Sequence, residues 1–587
     1  MFLKKFKIQN FRSIKKLEFD FKKGLNIIIG ENNSGKTAII DALRLSLSDF
    51  QQPKDIYCTV ADFHVDRFKI SDEIPDIRFD LIFKCEKEIE TAWFNDLHAI
   101  EGKGSNLQLH LRFKFDTKSG RVIRTVWGGE KEGGRVSSEV RSVLRNVYLS
   151  PIRNTNRDLK PIKGNILGKL YRNIGDDVER NALSEEMIFL FEKSGQWKDF
   201  VDKGRITIKE HLDYLTYLAD EKSQDVDISY APYDFEKLVQ NLIFQIPVYT
   251  NEIISSGDQR YFDISQNGLG YNNLIYTAAL LGDIKQRKRT FEEEFTLLLI
   301  EEPEAHLHPQ LQNTFFNYLK RLHDENAFQV IVTSHSPTIA AKTDLKLLTV
   351  LQNLNHHIYV TQIDKLDLDV DNVDFLQKFL DVTKSQLFFA NGVILVEGIS
   401  EALLVPIFSK IMGEKYDLER KGIEVVNING VAFKHFAKLF NSEKEKKRLN
   451  CRCAIITDDD KDKNVKGKIE KIRELASGNL VVTDGSKTFE YELFKANNKN
   501  NTLLDAFAFC HKNLRIELDK KQDPEDRANF FTDKIKRSKS KLAYRLAIDL
   551  DNKLQSKKNF KDFNVPPYIE KAIKYVVDGS FDDDDDE

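Results

Sequence analysis

Apolar and polar positions alternate loosely from Phe6 to Phe21, the pattern of a strand with one buried face. The alternation then gives way to a continuous apolar run, GLNIII at Gly24–Ile29, which reads as a strand buried on both faces. Past a glycine-rich segment, TAIIDALRLSLS (Thr37–Ser48) takes up helical periodicity. Further strands are predicted at Ile77–Phe83, Leu107–Phe115, Leu297–Ile300, Phe328 to near His335, Val393–Val396 and Ala454–Ile456. Helical spacing is predicted over Leu183–Leu218 and Phe375–Ala390, and helices are expected to fill residues 500–587. Strands and helices thus alternate in both halves of the chain, predicting an α/β class throughout.

The segment between the first buried strand and the first helix is GENNSGKT, Gly30–Thr37. In a strand–loop–helix context it is a phosphate-binding loop: the main-chain N–H groups of Gly30, Asn33, Ser34 and Gly35 wrap phosphate oxygens at a helix N-terminus. Lys36 reaches the β- and γ-phosphates of ATP, and the Thr37 hydroxyl ligates Mg²⁺. A second apolar run, Leu297–Ile300, ends in Glu301 and Glu302 within EEPEAHLHP. Two carboxylates at a strand tip are costly unless they meet cations or water. Glu301 is therefore expected to hold Mg²⁺ and Glu302 to orient an attacking water. His335, at the end of the strand in FQVIVTSHSP, is expected to sense the γ-phosphate.

NFRSIKKLEFDF (Asn10–Phe21), EEPEAHLHP and TSHSP together resemble the ATP-binding-cassette superfamily, specifically its repair branch with RecF and SMC-like proteins. That resemblance implies a signature segment before the EEPE strand, and ISQNGLGYNN (Ile264–Asn273) supplies Ser265 and Gly268, at a spacing that departs from the usual run. It also implies a homodimer, in which one subunit's signature closes on the other's ATP. Asp62 in VADFH is a candidate for the residue of the glutamine loop.

A second acidic constellation follows. VILVEGISE (Val393–Glu401) puts Glu397 at a strand tip and Glu401 in a first helical turn, with Ser400 as candidate cap. IITDDDKD (Ile455–Asp462) ends another strand in Asp458 and Asp460, whose side chains fall on one side of an extended chain. Hard oxygen donors without a Cys or His cluster select Mg²⁺ or Mn²⁺. A solvated Asp-rich turn would explain Asp458–Asp460 alone, but not VEGISE upstream of it. These motifs resemble the Toprim fold, and LFFANGVILVEGISE after a RecF-like ATPase is similar to the OLD nuclease family over nearly the whole chain. The resemblance implies further acids, mapped onto Glu490 and Glu492, and a late catalytic lysine, either Lys539 or Lys541.

The expected organisation is an ABC-type ATPase with a helical insertion, followed by a Toprim domain with a mostly parallel sheet. Its boundaries are 1–155 and 241–380 for the cassette, 156–240 for a dimerising insertion, and 381–587 for Toprim with an acidic tail. The expected function is metal-dependent DNA cleavage under nucleotide control, in phage defence. A homodimer or tetramer and, in the Gabija-type subgroup, a UvrD-like helicase are the expected partners. The competing reading is a RecF-like DNA clamp with a non-cleaving Toprim scaffold.

Composition narrows these readings. The net charge of −3 excludes a polycation, but KEKKR (Lys444–Arg448), Lys466–Arg473 and Lys534–Lys541 gather positive charge around the second constellation. Five cysteines fit no zinc module of a primase, and no apolar run approaches the ~20 residues of a membrane span. The chain is expected to be cytoplasmic, with no membrane attachment.

Overall fold

The computed structural model describes residues 1–47, 56–65, 74–100, 103–151, 159, 165–193, 195–215, 235–248, 260–290, 294–305, 307–324, 328–430, 432–459, 468–556 and 562–580. The chain forms two compact units, one of Met1–Tyr148, Leu297–Glu304 and Pro309–Glu587, the other of Leu149–Thr296 and Ala305–His308. Among the described residues no helix is long and apolar enough to cross a membrane.

Two sheets build the cassette part of the first unit. The alternating N-terminus folds as Phe2–Phe11 and Ile14–Asp20, antiparallel to each other, and Phe2–Phe11 pairs on with Ile77–Lys84. Their inward positions include Phe6, Phe11 and Phe79, all fully buried, with the Phe11 and Phe79 rings edge-on at 5.2 Å. The second sheet runs, from edge to edge, His357–Gln362, Leu348–Leu354, Leu25–Gly30, Gln329–Ser334, Phe295–Glu301 and Leu144–Leu149. The pairings from Leu348–Leu354 through Phe295–Glu301 are parallel. Every residue of Leu25–Gly30 and Gln329–Ser334 is buried, as their unbroken apolar runs require. Parallel packing lines up the C-terminal strand ends, so Gly30, Glu301 and Ser334 reach one edge together.

Toprim belongs to the same compact unit. Its four strands lie in the order Ile423–Asn427, Gly392–Val396, Arg452–Asp458, Leu480–Gly485, all parallel. Glu397 directly follows one central strand, and Asp458 closes the other. Helices Ile399–Ile411, Phe489–Ala496, Asn501–Cys510, Pro524–Ile535, Lys539–Gln555 and Pro567–Asp578 share one apolar core with this sheet. The helix expected over Phe375–Ala390 is broken: it runs Val370–Phe379 and resumes as a 3₁₀ segment at Lys384–Phe389. Asp381 accepts the Lys384 N–H at 2.8 Å there, a local bond that competes with helix continuation.

The second unit holds the helices Ile166–Arg172, Asp177–Lys193, Gly195–Leu215, Phe235–Gln240 and Leu269–Thr290, with an antiparallel pair Gln245–Val248 and Arg260–Asp263. Of the helical character expected over Leu183–Leu218, the described residues 183–193 and 195–215 are helical, and the rest lies outside the described residues.

Candidate nucleotide and metal sites

The phosphate loop is shaped by left-handed backbone: φ is +64° at Asn33 and +97° at Gly35, which caps helix Lys36–Ser46. A Cβ at Gly35 would lie 2.9 Å from Ile358 Cδ1, and one at Gly30 would lie 2.5 Å from the Leu351 carbonyl oxygen. Gly30 is thus demanded by the backbone of the neighbouring hairpin Leu348–Leu354/His357–Gln362, and Gly35 by its left-handed φ. Asn353 donates to the Asn33 carbonyl at 3.2 Å, adding a third contact from that hairpin.

Lys36 is buried and donates to the Gly30 and Glu31 carbonyls at 2.8 and 2.7 Å. Burial lowers its pKa, opposed by Glu302, Glu304, Glu31 and Glu301. Thr37 donates its hydroxyl to Glu301 Oε1, and Tyr148 donates to Glu301 Oε2 at 2.7 Å. The hydroxyl and carboxylate expected to share Mg²⁺ are therefore already adjacent, and both are hard oxygen donors suited to it. Tyr148 was not legible as a site residue; Arg44 stacks over its ring at 3.8 Å.

Glu302 has a left-handed φ of +44°, strained for a residue with a Cβ, and its N–H donates to the Thr333 carbonyl at 3.0 Å. His335 Nδ1 lies 3.4 Å from Glu302 Oε1 and 3.6 Å from Glu304 Oε1. Glu304, unassigned by sequence, is the organiser: it accepts the Ser334 hydroxyl at 2.6 Å and the His335 N–H at 2.9 Å. Asp62 is held by Arg12 at 2.8 Å and by the Thr59 N–H and hydroxyl, while Arg12 also grips Asp41 of the loop helix. Its carboxylate is thus committed to anchoring that corner. In the second unit Ser265 lies in a 3₁₀ turn, and Gly268 precedes helix Leu269–Thr290, with open space where a Cβ would stand.

In Toprim, Glu397 Oε1 accepts the Thr457 hydroxyl and the Asp458 N–H, the latter at 3.5 Å. Asp458 Oδ2 accepts the Phe489 N–H at 2.8 Å, which brings the start of helix Phe489–Ala496, and with it Glu490, to the strand tips. Ser400 is not a cap. Gly398, in extended conformation, is the N-cap, so the helix starts at Ile399, two residues earlier than expected, and Glu401 still falls in its first turn. Glu401 Oε2 lies 3.1 Å from where a Gly398 Cβ would stand.

Of the two late lysines, Lys539 pairs with Glu490 at 2.7 Å, whereas Lys541 lies over the Phe509 ring at 5.2 Å. Glu492 accepts from the N–H and hydroxyl of Ser486. Asp460 lies outside the described residues, as do the acidic tail Asp582–Glu587 and Lys466. Arg473, in the same basic stretch as Lys466, is bound to Asp484 through two contacts, at 2.9 and 2.5 Å.

The electrostatics follow from Glu397, Glu401, Asp458 and Glu490 lying close together, with Lys539 facing the last three. Burial raises the Glu401 pKa to about 7, helped by Glu490 and Glu397 and opposed by Lys539. Burial also pushes Asp458 well above the usual carboxylate range, with Glu401, Glu397 and Glu490 adding to the shift. Such an excess of buried negative charge and all-oxygen donors fits divalent cations. Among the described residues no three acidic, histidine or cysteine side chains are already closed around one ion position. Instead, one oxygen of Glu397 accepts from Thr457 and one of Asp458 from the Phe489 N–H.

Comparison with known proteins accords with this geometry. The family described as AAA ATPase domain matches residues 1–119 and 138–340. The family described as the Toprim domain of overcoming-lysogenization-defect-like proteins matches residues 388–460. The chain is 26% identical over 443 residues to an OLD nuclease of Thermus scotoductus, covering 73% of this chain and 78% of that one. It is 25% identical over 705 aligned positions to Endonuclease GajA of Bacillus cereus, covering 98% of this chain and 99% of that one. With the Old nuclease of Escherichia phage P2 it shares 23% identity over 477 residues, 77% of each chain. The two matched domains imply nucleotide and divalent-metal use. With more than half its length matched by one family, the chain belongs to the AAA ATPase domain family, and its cassette is continued by an OLD-like Toprim domain.

Proposed function

We propose that this chain is an ATP-regulated DNA endonuclease whose cutting site is Toprim. The observation that carries the reading is the clustering of Glu397, Glu401, Asp458 and Glu490 at the strand tips, close enough to act on one another's charge, beside Lys539. When bound, a pair of divalent cations, Mg²⁺ or Mn²⁺, supplies an activated water and neutralises charge on the cleaved phosphodiester. Glu397, Glu401, Asp458, Glu490 and, by its position after Asp458, Asp460 are the residues to hold them. Thr457 and the Phe489 N–H fix the orientations of Glu397 and Asp458, and Lys539 offsets negative charge developing on the phosphate.

In the cassette, Lys36 exchanges its two loop carbonyls for phosphate oxygens, and Thr37 with Glu301 holds the nucleotide's Mg²⁺. Glu302 aligns the attacking water, and His335 stands beside it where a γ-phosphate would be read. Ser265 and Gly268 serve as the signature presented to a second subunit, which makes the working form a homodimer or a tetramer of such dimers. A UvrD-like helicase partner and a role in phage defence belong to the same reading, through the Gabija-type resemblance.

The test is supercoiled-plasmid cleavage with Mg²⁺ or Mn²⁺, with and without ATP, by the wild type and by Glu397→Ala and Asp458→Ala. Metal-dependent cutting abolished in both variants is expected. Nicking that survives in both would remove the metal-site assignment.

A further inference from the structure

Helix Pro567–Asp578, the last described helix, packs into the Toprim core and carries Tyr568 in its first turn. The side chain is 8% exposed, and its hydroxyl is buried without a hydrogen-bond partner among the described residues. Buried phenols normally find one, so an unmatched hydroxyl in an otherwise well-packed core calls for an explanation. Its position supplies it. The ring lies against Gly485, whose added Cβ would stand 3.4 Å from Tyr568 Cζ and 3.0 Å from Glu492 Cγ. Gly485 is the register partner of Asp458 on the neighbouring strand. The hydroxyl therefore lies beside the carboxylate cluster, near enough for Asp458, Glu401, Glu492 and Glu490 to act on it.

We infer that Tyr568 is a positioning residue of the metal site: its buried, unmatched O–H donates to a carboxylate of the neighbouring cluster when that cluster holds a divalent cation. The inference rests on the nuclease reading of that site. Burial and the field of Asp458, Glu401, Glu492 and Glu490 keep the phenol protonated, so it is available as a donor and never as a competing anion. A Cβ at Gly485 would stand in ordinary contact with the Tyr568 ring and would press on Glu492 Cγ.

The experiment is a calorimetric Mn²⁺ titration of the full chain without nucleotide, comparing wild type, Tyr568→Phe and Asp458→Asn, with thermal melting of each metal-free protein. Tyr568→Phe should weaken Mn²⁺ binding ~10-fold, as loss of a partner supporting a metal ligand does, while the metal-free melting temperature stays equal or rises. A hydroxyl with only a packing role would leave the affinity within ~2-fold, and that result overturns the inference. A near-ultraviolet tyrosine difference spectrum on Mn²⁺ addition, present in wild type and lost in Tyr568→Phe, is the second expected readout. Its presence in the variant would likewise count against Tyr568. If wild type binds Mn²⁺ no better than Asp458→Asn, the nuclease reading itself falls; if only Tyr568→Phe is silent, this inference alone falls.

Discussion

Loading Toprim with a divalent cation should expel protons. Glu401 has a pKa of about 7 in the metal-free fold, and Asp458 is held well above its ordinary value. At pH 6 a group with that pKa is ~90% protonated, so Glu401 releases ~0.9 proton on metal binding, and Asp458, shifted in the same direction, adds to the release. By about pH 8.5 the Glu401 share is nearly gone and release falls accordingly. Calorimetric Mn²⁺ titrations in buffers of different ionisation enthalpy read this number directly, as the slope of apparent enthalpy against buffer enthalpy. The same linkage has a stability side. Because the Glu401 pKa is raised above its ordinary 4.5, its protonated form favours the fold; that contribution is complete below about pH 4.5 and lost as pH climbs through about 7. Metal-free protein should therefore melt lower at pH 8 than at pH 5.5 by this group's share, and Mn²⁺ should restore most of the difference. A slope of zero at pH 6 would mean the carboxylates are already ionised and would refute the electrostatic reasoning.

Two further outcomes are expected. Tyr148→Phe removes the 2.7 Å hydrogen bond to buried Glu301 and should cost about 1.5–3 kcal/mol in chemical denaturation, with weaker Mg²⁺-ATP binding in a fluorescent-nucleotide assay. Thr361→Val removes the hydroxyl's 2.9 Å bond to the Arg448 carbonyl; it should cost ~1 kcal/mol and change the ratio of plasmid cleavage with and without ATP, while ATP affinity holds. An unchanged ratio would show that this bond transmits nothing.

Both acidic strand tips were legible because strands buried on both faces show as unbroken apolar runs, and a charge directly after such a run is conspicuous. Gly30–Thr37, Glu301, Glu397 and Asp458 all follow that rule. What brings Glu490 and Lys539 to the same place is tertiary: they sit on separate helices far along the chain, and the resemblance, not the local pattern, supplied them. Choosing between Lys539 and Lys541 required knowing which helix face packs inward, since residues two apart point ~200° from one another. Tyr148, Thr457, Glu304 and Tyr568 are single polar residues whose meaning lies entirely in what they face. Ser400 looked like a cap by residue type, but glycine also serves as an N-cap and here begins the helix sooner.

The hairpin Leu348–Leu354/His357–Gln362 touches the phosphate loop at Gly30, Asn33 and Gly35. Through Thr361 and Gln352 it also binds Arg448 and Asn450, the latter at 2.7 Å, just ahead of the strand that ends in Asp458. The boundary between the two chemistries is therefore a shared beam and not a joint. A nuclease half transplanted from a relative with its seam near residue 380 would arrive without the partners that Gln352 and Thr361 expect. Functional chimaeras should be recoverable only when residues 348–362 and 448–450 travel together, so that divergence in either segment constrains what the other can become.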